Sequence, residues 1–246
     1  MSELCRRLEW DSEFWGIPIA QVDGNTLTAE TVHQVNGWCS KNEIACLYFL
    51  ARSDQPATTR IAEENGFRSV DIRVTLTREL DGQSTGGAVS GIRKAQPGDR
   101  EALARYAREG YRYTRFYNDE HFPDERCDDL YETWILGNLD GLADQVLVLE
   151  QAGEVFGYIS CHLADRKVGS IGLSGVEQTE RGAALGGGLL AGAHAWFERH
   201  GAGPLSVGTQ GRNWVTQRML QRAGYVTEKT EIWYHRWYRP EVLGEN

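Results

Sequence analysis

The stretch Ser170-Ile-Gly-Leu-Ser-Gly-Val-Glu-Gln-Thr-Glu-Arg-Gly-Ala-Ala-Leu-Gly-Gly-Gly-Leu-Leu190 decides how the chain is read. Ser170–Val176 is a run of small and apolar residues that reads as a strand. Arg181-Gly-Ala-Ala-Leu-Gly-Gly-Gly then opens a helix that ends near His200. A glycine-rich helix start leaves backbone N–H groups unpaired, lets a phosphate approach closely and presents the positive end of the helix dipole. The segment therefore reads as a pyrophosphate cradle. It is not a Walker loop, because no Gly-Lys-Ser/Thr follows. It is not a dinucleotide fingerprint either, because no G-x-G-x-x-G opens the turn and no acidic residue ends a strand about 20 residues on. The competing reading is that Gly186–Gly188 only let the helix pack closely on a sheet.

Working outward, strands and helices alternate. Gly91–Ala95 reads as a short strand and Pro97-Gly-Asp-Arg-Glu as a helix start. Asp124–Leu139 reads as a second helix, with Leu130, Trp134, Ile135 and Leu139 on one face. Gln145–Glu150 and Val155–Leu163 are strands joined by the tight turn Gln151-Ala-Gly-Glu. Downstream come a strand at Leu205–Thr209, a helix at Asn213–Ala223 stopped by Gly224, and a last strand at Glu228–His235. This order implies an α/β (α+β) layer structure, and the hairpin implies a mixed central sheet with helices on both faces. Asp81-Gly-Gln-Ser-Thr-Gly-Gly-Ala-Val-Ser90 has linker composition. It divides the chain into residues 1–80, a linker over 81–90, and residues 91–246.

The net charge of −9 speaks against a nucleic-acid partner and suits a cationic amine substrate. No apolar run reaches the ~20 residues needed to cross a bilayer, and the start has no apolar signal core, so a cytoplasmic protein with no membrane partner is expected. The five cysteines are widely spaced with no CxxC pair, which predicts reduced thiols in or near the core and no metal site.

The Ser170–Trp196 segment resembles the acetyl-CoA motif of the GCN5-related N-acetyltransferases (GNAT). That motif is Q/R-x-x-G-x-G/A, preceded five residues earlier by a strand-ending Val. Here Val176 precedes Arg181-Gly182-Ala183-Ala184-Leu185-Gly186, with Ala184 in place of a glycine. Downstream, the family's Asn, small residue, Tyr and Gly-aromatic fall on Asn213, Thr216, Leu220 and Gly224-Tyr225. The resemblance covers about 150 residues. It implies acetyl-CoA (acyl-CoA) as cofactor, with no metal, held by Leu173, Ser174, Val176, Arg181, Gly182, Ala183, Ala184, Leu185, Gly186, Gly187, Asn213, Thr216 and Leu220. It implies a backbone N–H near Val176 as oxyanion donor. Leu220 stands where many members carry the tyrosine that protonates the leaving thiolate, so the general acid is unassigned. For a general base, Glu120, His121, His162 and Glu231 are candidates.

A shift of 158 positions lays Trp38 on Trp196, Leu47 on Leu205, Thr58 on Thr216, Arg60 on Arg218, Gly66 on Gly224 and Phe67 on Tyr225. Helix, strand, helix, Gly-aromatic and strand recur in order. Residues 1–80 therefore read as a partial GNAT-like copy preceding a catalytic domain at 91–246. The copy lacks the phosphate loop, because Gly186–Gly188 fall on Thr28–Glu30. It is expected to extend the sheet or help form the acceptor pocket.

Leu8-Glu-Trp-Asp-Ser-Glu-Phe-Trp-Gly16, Gly66-Phe-Arg-Ser-Val-Asp71, Arg115-Phe116 and Tyr131-x-x-Trp134-Ile resemble the TDP-fucosamine acetyltransferases. Those enzymes acetylate a TDP-linked 4-amino-4,6-dideoxygalactose. The acceptor is then expected at the loop Tyr111–Pro123. Arg112 and Arg115 suit a diphosphate, and Tyr117, His121 and Tyr131 would line the site. The alternatives are another small-molecule amine (an amino acid, polyamine, antibiotic or protein amine) and a non-catalytic acyl-CoA-binding module. The aromatic end Trp233, Tyr234, Trp237 and Tyr238 fits a homodimer interface or a buried edge equally.

Overall fold

In the computed structural model, residues 4–80, 90–164, 168–177 and 180–239 are described, 180–185 as backbone only. The stretch 81–89 within the expected linker lies outside the described residues. In chain order the elements are β1 (Cys5–Arg7), α1 (Glu9–Trp15), β2 (Ile19–Val22), α2 (Ala29–Lys41), β3 (Cys46–Arg52), α3 (Pro56–Glu64) and β4 (Arg68–Arg78). Then follow β5 (Ile92–Lys94), α4 (Arg100–Gly110), α5 (Asp124–Gly137), β6 (Gln145–Gln151), β7 (Glu154–Ala164) and β8 (Val168–Val176). The chain closes with α6 (Glu180–Arg199), β9 (Leu205–Gln210), α7 (Trp214–Arg222) and β10 (Val226–Trp237). The Gln151–Glu154 hairpin turns on Ala152 and Gly153, both in the left-handed region at φ 53° and 85°.

All ten strands form one mixed sheet in the order β1-β2-β3-β10-β4-β9-β8-β7-β6-β5. Among the described residues only β2–β3 and β8–β9 are parallel pairs. The two parts of the chain interleave, because β4 lies between β9 and β10 while β10 lies between β3 and β4. Strand alternation then gives the sheet two apolar faces. On β6, Val146 and Val148 belong to one core with Leu103, Phe116, Leu130, Tyr131 and Tyr48, under α1, α4 and α5. Leu147 and Leu149 belong to another, with Leu189, Trp196 and Phe197 of α6 and Leu220 of α7. A third core joins Val32, Val35 and Cys39 of α2 to Leu47, Phe49 and Tyr234. The five cysteines are free and buried. Among the described residues no helix is long and apolar enough to cross a membrane.

The 158-residue shift carries Pro56–Glu64 onto 214–222, the bounds of α7, and the last residue of α2, Lys41, onto Arg199, the last of α6. It also relates the ladders. Tyr48↔His235 and Arg52↔Glu231 on β3–β10 map onto Ser206↔Thr77 and Gln210↔Arg73 on β9–β4. The Arg73↔Glu231 pair between β4 and β10 maps onto itself. The two strand pairs are thus related by a local two-fold through the β4–β10 ladder.

Candidate active site

The opening in the sheet has a local cause on β7 and β8. Their register runs from Ile159↔Ser174 to Cys161↔Ile171, so Gly172 and Leu173 face Ser160 alone. This is a bulge, and bulges bend the strand that carries them. The buried Ser160 Oγ accepts a hydrogen bond from the Leu173 N–H at 2.8 Å. A Cβ on Gly172 would stand 2.5 Å from His162 Nε2 and 2.7 Å from Ser160 Oγ, so a side chain here would have to displace both. Beyond the bulge, β8 leaves its parallel neighbour. The β8–β9 pairing ends at Ile171↔Val207, although β8 continues to Val176 and β9 to Gln210. On the α4 side, Tyr111 Oη donates to the Ser174 carbonyl at 2.8 Å and lies 3.1 Å from Tyr158 Oη.

The first turns of α6 stand beside this opening. The sequence expects a glycine-rich turn before the helix, whereas Arg181–Gly188 are already helical. The side chains of Arg181, Ala183, Ala184 and Leu185 lie outside the described residues. Among the described residues, a Cβ on Gly187 or Gly188 would meet nothing within 4 Å, and one on Gly186 would make only ordinary contacts with Met219 Sδ and Val176 Cγ1. Packing on the sheet therefore does not demand these glycines. Each nonetheless costs about 1 kcal/mol of helix propensity relative to alanine. A bare helix face beside the β8 edge that β9 leaves has room for the phosphates and amide-bearing arm of acetyl-CoA. Across the opening, Asn213 caps α7, its Oδ1 accepting from the Thr216 N–H at 3.1 Å. Leu220 is 1% exposed and belongs to the α6–α7 core, with no surface to offer a ligand.

The acceptor-loop residues are gathered between α4 and α5. Tyr111 stacks on Tyr131 at 4.3 Å, and Tyr117 lies 6.2 Å beyond. Tyr117 Oη donates to Asp128, which also pairs with Arg112 at 3.0 Å. The Arg115 guanidinium sits 4.1–4.4 Å from the rings of Trp233, Tyr48 and Phe116. The buried Asp119 accepts from Nδ1 of His121 and Nδ1 of His235, both at 2.7 Å, and from Trp237 Nε1 at 2.8 Å. Burial opposes the charge on Asp119, but the hydrogen bonds from His235, Trp237 and His121 outweigh it and hold the carboxyl well below its usual range. Complete burial, with the Arg115 charge, pushes His235 down to about 4. His235 is thus neutral, donating from Nδ1 and accepting at Nε2 from Arg115 at 3.4 Å.

The remaining base candidates are scattered. Glu120 is exposed beside Arg68 at 3.8 Å. Glu231 is 3% exposed, pairs with Lys229 at 3.1 Å and leaves Oε2 buried without a partner. His162 lies 3.3 Å from Ser160 Oγ. Among the described residues no group of three or more His, Cys, Asp or Glu is gathered as metal ligands would be.

One carboxylate escapes sequence reasoning. Asp71 lines a cavity of about 420 Å³ with Ser69, Val70, Ile72, Gly211, Arg212 and Trp214. The cavity lies just beyond the end of β9, against the first turn of α7. Asn118 ties the acceptor loop to it, donating to the Val70 carbonyl at 2.9 Å and accepting from Arg212 at 3.0 Å. The available signal was an acidic residue in an otherwise β-prone stretch, Ser69-Val-Asp-Ile-Arg-Val-Thr75.

A split parallel pair in a mixed sheet, with a glycine-faced helix at the split, is the architecture of an acyl-CoA-binding transferase. The model of the acetyltransferase (GNAT) family matches residues 102–225. The chain belongs to that family, whose enzymes use acetyl-CoA. The spore coat polysaccharide biosynthesis protein SpsD of Bacillus subtilis is 28% identical over 142 residues, 58% of this chain and 49% of that protein. The match thus spans about half of that relative's length. Among solved structures, a GCN5-related N-acetyltransferase from Sphaerobacter thermophilus aligns with a TM-score of 0.65 at 18% identity, covering 95% of this chain and 76% of that one. A tandem GNAT protein from the clavulanic acid biosynthesis pathway aligns with a TM-score of 0.57 at 15% identity, covering 90% and 76%. These two establish likeness of fold.

Proposed function

We propose that the chain is an acetyl-CoA-dependent N-acetyltransferase acting on the amino group of a nucleotide-linked amino sugar, a TDP-4-amino-4,6-dideoxyhexose. The observation that carries the acyl-CoA part is the opening beyond Ile171↔Val207, faced by glycines that packing does not require. Acetyl-CoA supplies the activated acetyl group. Gly186 and Gly187 leave a bare face about two turns into α6 for phosphate oxygens, while the edge of β8 that β9 leaves beyond Ile171 offers strand backbone to an amide-bearing arm. Asn213 and Thr216 border the opening from α7.

The sugar part rests on two supports. One is the resemblance carried by Gly66–Asp71, Arg115-Phe116 and Tyr131–Ile135. The other is the likeness to SpsD, a spore coat polysaccharide biosynthesis protein. The aromatic and basic loop Tyr111–Pro123 is a suitable surface for a base and a diphosphate. Residues 1–80 act as a half-copy that binds no CoA and completes the acceptor side.

The second reading is an N-acetyltransferase for a different amine. It is favoured by Arg112 and Arg115, which are already engaged with Asp128 and with the aromatic stack. Thiol release from acetyl-CoA, measured with the sugar nucleotide, free amino sugars, polyamines and peptides, separates the two. Release with the sugar nucleotide alone supports the first reading. Release with another amine alone moves the acceptor.

A further inference from the structure

Asp71 is 9% exposed, yet it has no ion-pair partner within 4 Å among the described residues. Its Oδ1 accepts the N–H of Ile72 at 2.8 Å, and its Oδ2 accepts no hydrogen bond among the described residues. Removing a carboxylate from water is costly unless a cation or hydrogen-bond donors replace the lost hydration. The charged groups that face it are committed elsewhere. Arg212, on the β9–α7 connection, donates to Asn118, and Arg115, on the α4–α5 loop, lies within the rings of Trp233, Tyr48 and Phe116. On its own strand, Arg73 lies along Gly208. On β10, Trp233 is its cross-strand neighbour and Glu231 is paired with Lys229. Burial consequently raises the Asp71 carboxyl to about 6 against the weaker pull of its backbone hydrogen bond and of the two arginines.

The open pocket beside Asp71 therefore presents a carboxylate that has no paired cation among the described residues. It lies at the end of the sheet where β8 and β9 separate. A thioester held in the gap between β8 and the end of β9 has β4 as the next strand, one spacing of about 4.8 Å beyond β9, so an acceptor nitrogen set between them meets Asp71 directly or through one water. We infer that Asp71 is the catalytic base of the acetyl transfer, and that its carboxylate receives the acceptor ammonium in this cavity. The inference rests on the acetyltransferase reading above. The ammonium gives one proton to Asp71, and the freed nitrogen lone pair forms the C–N bond to the acetyl carbonyl carbon. The C–S bond breaks, and a second proton from that nitrogen ends on the departing sulfur. Asp71 then returns its proton to solvent. The products are the amide, the free thiol and one proton.

The test compares wild type, Asp71→Asn and Asp71→Glu with acetyl-CoA and TDP-4-amino-4,6-dideoxygalactose, or with the amine the wild type turns over best. Acetyl-CoA affinity is measured separately by calorimetry. The expected result is a loss of ~10²–10⁴-fold in kcat/KM for Asp71→Asn, with acetyl-CoA affinity within twofold. The acidic limb of the pH profile near 6 should disappear, and Asp71→Glu should recover part of the rate. Unchanged kcat/KM and an unchanged acidic limb in Asp71→Asn, with an active wild type, overturn the assignment to Asp71 alone. No thiol release by wild type with any amine overturns the acetyltransferase reading and this inference with it.

Discussion

Residues 29–78 and 187–236 have the same backbone plan and different chemistry. The hydrogen bonds that end their helices correspond. Ile44 N–H to the Cys39 carbonyl and Phe67 N–H to the Ala62 carbonyl, both 3.0 Å, recur at Ala202–Phe197 and Tyr225–Leu220 at the same distance. Glu43 and Gly201 both take left-handed φ, as do Gly66 and Gly224. The difference lies at the start of the first helix. In the N-terminal region Thr28 closes a capping box with Thr31, and the helix begins at Ala29. In the C-terminal region the helix begins at Glu180, further back, and carries Gly186, Gly187 and Gly188 where its counterpart has Thr28, Ala29 and Glu30. The strand before it differs likewise. β2 ends at Val22, while β8 runs to Val176 through a bulge that detaches it from β9. One region closes its helix start with a side-chain capping box, and the other carries three glycines at the matching positions.

The largest expected effect tests whether the interleaved strands make the two regions one cooperative unit. Phe67 and Tyr225 are equivalent and each 2% exposed. Phe67→Ala and Tyr225→Ala should each cost about 3–5 kcal/mol and shift a single denaturant transition. Two separable transitions would break the comparison.

Asp71 and its counterpart Lys229 differ next. Lys229 has Glu231 at 3.1 Å, whereas Asp71 has no ion-pair partner among the described residues. With its folded-state carboxyl raised to about 6, Asp71 destabilises the fold where it is ionised. Asp71→Asn should then stabilise the protein by about 1–2 kcal/mol at pH 7.5, discounted because water reaches the cavity. The gain should shrink as pH falls through 6 and vanish below the ordinary carboxylate range. Urea melts at pH 7.5 and pH 4 check the sign, and a loss at pH 7.5 would contradict it.

Gly187→Ala places the N-terminal residue in the C-terminal helix. It should stabilise α6 by about 0.5–1 kcal/mol and weaken acetyl-CoA binding about tenfold, measured by thermal melts and titration. Smallest is Asn213→Ala, which removes a cap that α3, with Pro56 in its first turn and no side-chain cap, does without. About 1 kcal/mol should be lost, a fall of roughly 2–4 °C in Tm for a chain of this size.

Local signals in the sequence reached far. Gly224 announced the end of a helix, Ala152-Gly153 a tight turn, and the spacing from Val176 to Gly186 the site's strand and helix. The alternation of elements was enough for the mixed sheet with helices on both faces. What it could not reveal depends on partners distant in the chain. The insertion of β4 between β9 and β10 follows from pairing across about 150 residues. The separation of β8 follows from Ser160 accepting the Leu173 N–H, which no spacing rule anticipates. Asp71 reads as an ordinary polar strand residue until the acceptor loop and the β9–α7 connection close around it.

Calorimetric titration of acetyl-CoA into wild type, Gly187→Asp and Ala29→Asp tests the central contrast most directly. Both positions are solvent-facing, and a Cβ on Gly187 meets nothing within 4 Å, so neither change should disturb the fold. The account predicts one site per chain in the wild type. Gly187→Asp should weaken it on the order of 100-fold through charge repulsion of the phosphates and loss of the bare helix face, and Ala29→Asp should leave it unchanged. No binding by wild type, two sites per chain, or equal losses in both variants would contradict it.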